Sequence, residues 1–371
     1  MKTFFKLPKR IDPRINSFIS IKNIRDIPVI IQFNKYKDKS INKKLMKAGF
    51  KTKYNLSFID GISGEISSRN FDNLKKLIEI KKIYYDDKAI LMGWISEGVY
   101  PSDINQFSLK SLTLSGKGIC LAFIDSGIYP HNALNGSGRK IVAFKDLINN
   151  INSPYDDNGH GTACAGAVSG MSADRSFCAP AFESAIISAK AFHNTNYGSY
   201  SDILASMQWI LDIKDKYNIK IAVLPFGTDY ISKDFDIISL AAEEMWLKDI
   251  FVICPSGNKG PNFGTITSPG CNSKVFTVSA FKIENDKMII PQFCSRGPGL
   301  QNIQKPDAIM PGYLIPSLSG NTYYYPKKNN ISNYSKMDYI SFSGTSAAVS
   351  QAAAAIALLY EKKGNISPDD A

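Results

Sequence analysis

The chain has 371 residues, 44% of them apolar, and carries a net charge of +11 with 26 glycines, 18 prolines and six cysteines. That length exceeds one small domain and the apolar content is enough for a sizeable core, which excludes a disordered or low-complexity chain. The first twenty residues never reach an apolar run of signal-peptide length, so neither a secretory signal nor a membrane span is expected.

The basic excess sits at the N-terminal end. Residues 1–90 hold 21 Lys and Arg against 9 Asp and Glu, net +12, which leaves 23 against 24 over residues 91–371, net −1. A basic block of that size ordinarily points to nucleic acid or an anionic lipid surface. Here its pattern is that of a small folded domain, so neither nucleic acid nor a membrane is expected as a partner. After an N-terminal extension over 1–24, Ile27 to Phe33 reads as a strand. Ser40 to Ala48, with Ile41, Leu45, Met46 and Ala48 at helical spacing, reads as a helix that Gly49 ends. Leu56 to Ile59 and Gly64 to Ser67 read as strands about a turn at Gly61, Asn70 caps a helix over Phe71 to Ile78, and Ile83 to Tyr85 is the last strand. This β-α-β-β-α-β order gives a small α+β, ferredoxin-like domain over 25–92. Residues 93–114 read as a linker with a short helix, ahead of a larger domain over 115–371.

Gly118 opens an apolar run of strand length that stops in Asp125-Ser-Gly. An aspartate at the end of a buried strand is held rigidly and half out of water, which suits a group that fixes a histidine tautomer. The histidine follows in Asn158-Gly-His160-Gly-Thr-Ala-Cys-Ala-Gly, where flanking glycines allow a tight turn and the small residues suit a closely packed helix. Strands such as Ala185 to Ala191, Lys220 to Leu224 and Ile250 to Ile253 alternate with helices such as Asp202 to Ile210 and Ile237 to Trp246. That alternation implies an α/β domain with a mostly parallel sheet covered by helices on both faces. Asn321 to Lys336, polar and aromatic without periodicity, reads as a surface insertion. Ser341-Phe-Ser-Gly-Thr-Ser346 then enters an alanine-rich stretch running to Tyr360, placing one hydroxyl where a helix begins. A serine alone is a weak nucleophile; with His160 to take its proton and Asp125 to orient the ring, it becomes competent for acyl transfer. His131 and His193 lack the glycine setting and read as loop or surface residues. Cys120, Cys164, Cys178, Cys254, Cys271 and Cys294 form no Cys-x-x-Cys pair and lie mostly in apolar or glycine-rich segments. Free buried thiols and a reducing, cytoplasmic location are therefore expected rather than a disulfide framework.

In sequence order these segments resemble the subtilisin-like serine peptidases, the subtilases, whose triad runs Asp, His, Ser. Phe251-Val-Ile-Cys-Pro-Ser-Gly-Asn258 resembles the family segment whose Asn side chain donates to the oxyanion, and Ile221 to Gly227 sits where the family has its substrate-pairing strand. Phe293 to Pro298 and Lys305 to Gly312 resemble the segments that lead to the serine. The likeness covers most of residues 115–365. It implies a serine endopeptidase acting on peptide or protein substrates, with Asp125, His160 and Ser346 catalytic and Asn258 in the oxyanion hole. Phe226, Gly227, Ser256 and Gly257 would bind substrate, and no step needs a metal or an organic cofactor. It also implies that residues 25–92 are a propeptide domain, a folding chaperone and intramolecular inhibitor whose end lies through the active site. Processing is then expected within residues 88–100, with Met92 to Gly98 favoured.

The chain departs from the family where Ala347-Ala-Val-Ser350 replaces Met-Ala-Ala-Pro, where Ala163 replaces a second histidine, and where Pro225 withholds a backbone donor from the substrate-pairing segment. Many secreted relatives carry a calcium loop after the histidine helix; here Ser169 to Ser176 offers one carboxylate and an arginine, so no metal is expected there. Two readings of function stand: an autoprocessed zymogen serving as a dedicated processing protease, such as a leader peptidase, or a catalytically silent subtilase fold that binds a peptide or regulatory partner.

Overall fold

The N-terminal elements are α1 (Pro13–Ile19), β1 (Asp26–Phe33), α2 (Asp38–Lys47), β2 (Phe50–Leu56), β3 (Gly61–Ser67), α3 (Phe71–Lys75) and β4 (Ile80–Tyr85). They belong to a computed structural model that describes residues 10–19, 26–36, 38–96, 113–135, 140–228, 232, 234, 236–324, 326 and 338–371. The four strands pair antiparallel in the order β2-β3-β1-β4. One face of this sheet buries Val29, Ile31, Ile62 and Ile83 with Leu45 of α2 and Leu74 of α3. Residues 10–19 belong to the same layer: Ile15 is fully buried, and the Asp12 N–H donates to the Ile83 carbonyl at 2.9 Å.

Two bounds differ from the sequence reading. The strand expected over Leu56 to Ile59 is the end of β2 followed by a single tight turn over Ser57–Ile59, after which Asp60 takes a left-handed conformation. The helix expected to reach Ile78 stops at Lys75; Leu77 still packs against the core, while Ile78 is 83% exposed.

The opposite face of the sheet places Ile30, Leu56, Ile59 and Tyr84 in a core shared with the larger domain. Around this seam the Tyr54 hydroxyl donates to Asp202 at 2.8 Å and the Ser201 N–H donates to Asp86 at 2.8 Å. Burial pushes the Asp86 carboxyl up to about 6, against the hydrogen bonds from Ser201 and the nearby Lys53 ammonium that favour its charged form. A carboxyl that holds its proton more tightly when docked contributes stability that is full below the ordinary aspartate range and lost as pH rises through about 6. The Tm of the Ser346→Ala chain should therefore fall as pH rises from the acid side through that value. Asp86→Asn should flatten the slope, with Asp236, also pushed up to about 6 by burial, retaining part of it. A slope unchanged by Asp86→Asn would remove Asp86 from the account.

Beyond β4, the short strands β5 (Lys88–Leu91) and β6 (Trp94–Ser96) flank Met92 and Gly93. The linker expected from Trp94 to Leu114 opens with β6; residues 97–112, where its short helix would fall, lie outside the described residues. The larger domain then runs through β7 (Cys120–Asp125), α4 (Asn132–Asn135), β8 (Ile141–Asp146), α5 (His160–Ser169), β9 (Ala185–Lys190), β10 (Tyr197–Ser199) and α6 (Tyr200–Tyr217). It continues through β11 (Ile219–Val223), β12 (Phe226–Thr228), α7 (Ile237–Trp246), β13 (Phe251–Pro255), β14 (Phe276–Glu284) and β15 (Lys287–Ile289). It ends in β16 (Ala308–Pro311), β17 (Ile315–Leu318), β18 (Tyr339–Ser343) and α8 (Thr345–Lys363). Most of the expected insertion over Asn321 to Lys336 lies outside the described residues.

The main sheet has eight strands in the order β15-β14-β13-β11-β7-β9-β8, with β16 beside β14. Every pairing is parallel except β14 with β15. Its central strand β7 is buried at all six positions, as a parallel sheet covered on both faces requires. Small residues of α5 and α8, including Ala163, Ala167, Ala348 and Ala352, cover one face. Ile203 and Met207 of α6 with Ile237 and Ala241 of α7 cover the other.

Candidate active site

The C-terminal end of β7 and the first turn of α5 meet at Asp125 and His160. His160 Nδ1 lies 2.9 and 3.0 Å from the two carboxylate oxygens of Asp125, and the Ser126 N–H donates to the same carboxylate at 2.6 Å. Asp125 is fully buried and His160 is 3% exposed. Gly161 permits the approach, because a Cβ there would stand 2.0 Å from the Gly127 carbonyl oxygen and 3.1 Å from the Asp125 side chain. Burial works to lower the imidazole pKa, but the adjoining Asp125 charge and hydrogen bond hold it well above the ordinary histidine value. Cys164, one helical turn on, puts Sγ 3.7 Å from Nδ1, and burial pushes its thiol up so that it stays protonated. Asp125, His160 and Cys164 are the one cluster of metal-ligating residue types among the described residues, and Nδ1 is already engaged by the carboxylate.

Two buried charged residues missed in the sequence fix this junction. Asp156 accepts hydrogen bonds from Ser126 Oγ, from the N–H groups of Asn158, Gly159 and Thr162, and from Thr162 Oγ1. Lys190, at the end of β9, donates to the Ser126 and Phe192 carbonyls and to Asp157. Both read from sequence as a loop acid and a strand residue; only the tertiary fold shows that each ties the Asp125 turn to its neighbours.

Ser346 occupies the second position of α8 and is fully buried. Its backbone N–H donates to the Met92 carbonyl at 3.0 Å, while its Oγ donates to the Pro225 carbonyl at 2.8 Å. His160 Nε2 is buried without a hydrogen-bond partner, and Gly93 packs against it so closely that a Cβ there would lie 3.0 Å away. Asn258 accepts from the Thr345 N–H and Oγ1 through Oδ1 at 3.1 and 2.9 Å, which leaves its Nδ2 to face the Met92 carbonyl region. A Cβ on Gly344 would stand 2.5 Å from that carbonyl oxygen and 3.3 Å from Asn258 Nδ2, so glycine keeps the space open. Where the family has proline, the Ser350 hydroxyl donates to the Ser346 carbonyl at 3.0 Å, one turn back.

The segment around Met92 crosses this site as an added strand on both sides. β5 lies between β10 and β12, antiparallel to each, pairing Leu91 with Phe226 and Ile90 with Gly227 and Tyr197. Met92 N–H donates to the Pro225 carbonyl, and past Gly93 the strand β6 pairs antiparallel with β18, Trp94 opposite Ser343. The donor that Pro225 lacks is not missed, since the Met92 carbonyl is taken by Ser346 instead. Phe226 and Gly227 thus lie on the pairing strand and Gly257 beside it, whereas the Ser256 side chain points away, its Oγ on Ser279 at 3.0 Å. His193 is exposed, and His131 lies in the loop just ahead of α4 but is buried there, 6% exposed, its Nδ1 accepting from the Ala133 N–H and its ring near Tyr339.

In the loop after α5, the Asp174 carboxylate accepts from Ser172 Oγ and from the Ser176 N–H and Oγ. No disulfide joins the six cysteines, of which five are buried and Cys178 is exposed.

Residues 116–371 match the sequence profile described as the Subtilase family. Serine protease AprX of Bacillus subtilis is 31% identical over an alignment spanning 94% of this chain and 82% of that protein, which takes in the N-terminal sheet as well. Subtilisin Savinase of Lederbergia lenta is 26% identical over 57% of this chain and 66% of its own length. Among solved structures, fervidolysin from Fervidobacterium pennivorans, a keratinolytic enzyme related to subtilisin, superposes with a TM-score of 0.73 at 17% identity. That match covers 93% of this chain and 56% of fervidolysin.

Proposed function

The chain belongs to the subtilase family and is a serine endopeptidase, and from that premise we propose that Asp125, His160 and Ser346 are its triad and that it first cuts its own Met92–Gly93 bond. The observation that carries this reading is the Met92 carbonyl seated on the Ser346 N–H, with strands paired on both sides of the bond. On turning from Pro225 towards His160 Nε2, Ser346 Oγ gives up its proton to the imidazole as it attacks the Met92 carbonyl carbon. Asp125 stabilises the imidazolium, and the Ser346 N–H with Asn258 Nδ2 holds the oxyanion. The imidazolium then protonates the Gly93 nitrogen as the C–N bond breaks, and water, deprotonated by His160, hydrolyses the acyl-enzyme.

The N-terminal domain serves on this reading as an intramolecular inhibitor, docked on α6 and α7 with its end in the groove. A groove that engages residues on both sides of the cut suits a dedicated processing protease, leader-peptide removal included. The buried thiols support a reducing, cytoplasmic setting. Asn258→Ala is expected to lower kcat by about 10²–10³ with little change in KM, since its donor acts on charge that develops only in the transition state. A fluorophosphonate probe tests the whole reading. It should label Ser346 once the N-terminal fragment is removed, and its failure to do so would make the chain a silent binding protein.

A further inference from the structure

We propose that residues 10–19 clamp the hinge between the N-terminal sheet and β5, and that Arg14 closes this clamp, holding the inhibitory strand in the groove after the chain has been cut. The inference rests on the reading of the N-terminal domain as an intramolecular inhibitor. The hinge is short. β4 ends at Tyr85 and β5 begins at Lys88, so only Asp86 and Asp87 connect the docked sheet to the strand that enters the active site. Residues 10–12 lie along β4, the edge strand of that sheet, with Ile11 opposite Ile83 and the Ile83 N–H donating to the Arg10 carbonyl at 2.9 Å. Arg10 Nε in turn donates to the Ile80 carbonyl at 2.8 Å. From this anchored base Arg14 reaches over the hinge. Its Nη2 and Nε donate to the two oxygens of the fully buried Asp12 at 2.6 and 3.0 Å, and its Nη1 donates to Asp87 at 2.6 Å.

Further contacts tie the same turn. Asp12 accepts from the Tyr85 N–H at 3.2 Å, Phe18 of α1 stacks on the Tyr85 ring at 5.0 Å, and the Arg14 guanidinium lies 5.7 Å from the centre of that ring. On the far side of the hinge the Asp87 carbonyl accepts from the Tyr200 N–H at 2.8 Å, next to the pairing of Lys88 with Ser199. A guanidinium forks between two carboxylates in a way that a lysine ammonium in its place does not match. The consequence lies in binding. Once cut off, the N-terminal fragment is held by two surfaces, the sheet face on α6 and α7 and β5 in the groove. When the two are rigidly joined, seating one seats the other; a loose hinge lets the strand leave while the sheet stays docked. The clamp therefore makes the domain a lasting inhibitor and places control of its release at residues 10–19, away from the groove.

The test uses the full chain with Asp87→Ala and, separately, Arg14→Lys. The Asp87 side chain is 33% exposed and Arg14 keeps Asp12 when it is truncated, so the first variant leaves no buried charge alone. After self-cleavage, gel filtration should still return both fragments together. Hydrolysis of a short peptide anilide by that complex should rise about tenfold or more over the unaltered one, the effect of lowering the effective concentration of the strand at the groove. Fragments that separate on the column would make the contact one of docking alone, and inhibition as complete as in the unaltered complex would leave it without a role; either result overturns the inference. Arg14→Lys should raise the activity as well, and full inhibition with lysine there would refute the bridge between two carboxylates. The same substitutions in the Ser346→Ala background give a readout independent of cutting: amide hydrogen exchange should quicken about tenfold in β5 and stay unchanged in β1 and β3. If no chain cuts itself, or the unaltered cut complex is already active, the cleavage or the inhibitor reading fails and the exchange pattern decides whether the clamp exists. Exchange in β5 that neither variant alters would remove it.

Discussion

Purified Ser346→Ala chain is expected to keep its full mass, while the unaltered chain separates into two fragments divided between Met92 and Gly93. Loss of a triad serine costs about 10⁶ in kcat, which leaves no measurable self-cleavage during a preparation. The fold should not notice the change. Ser346 Oγ donates only to the Pro225 carbonyl, which also accepts from the Met92 N–H, and alanine already fills the next two positions of α8. Intact-mass spectrometry of the two chains side by side reads the result. A break at the same bond in the alanine chain would assign the cut to a contaminating protease, and two whole chains would mean that the bond in the groove is held but not attacked.

How much of this site the sequence discloses depends on whether the constraint is local. Gly161 and Gly344 stand out beside His160 and Ser346 because neighbouring backbone or a bound carbonyl comes too near for any side chain, so composition itself marks the place. The parallel sheet is equally legible: a strand buried on both faces, such as β7, must read as an unbroken apolar run. β2 hides because it is an edge strand, with Lys51 facing solvent and Lys53 reaching Asp202 of α6, and its pairing with β3 gives no apolar signature over Phe50 to Leu56. β6 is three residues long and exists only because β18, far along the chain, offers it a partner. His131 is buried by residues such as Tyr339 that no local window contains.

Asp125→Asn is expected to slow self-cleavage by about 10⁴ and to move the acid limb of its pH dependence to lower pH. The first effect follows from the tautomer. With the carboxylate at 2.9 and 3.0 Å, Nδ1 carries the proton and Nε2 is left to accept one from Ser346. An amide in that position can donate to Nδ1, which places the imidazole proton on Nε2 and leaves no lone pair facing the nucleophile. Cys164 cannot take over, because its thiol 3.7 Å away is kept protonated by burial and supplies no charge to an imidazolium. The second effect follows from the sign of the shift. Asp125 raises the imidazole pKa against a burial that lowers it, so removing the charge lets His160 lose its proton at lower pH. Timed intact-mass measurements across pH give both quantities from one experiment, since self-cleavage is a single turnover of a bond already in place. A variant that cuts within an order of magnitude of the unaltered rate would show that the carboxylate neither selects the tautomer nor stabilises the charge, and the triad would reduce to a pair.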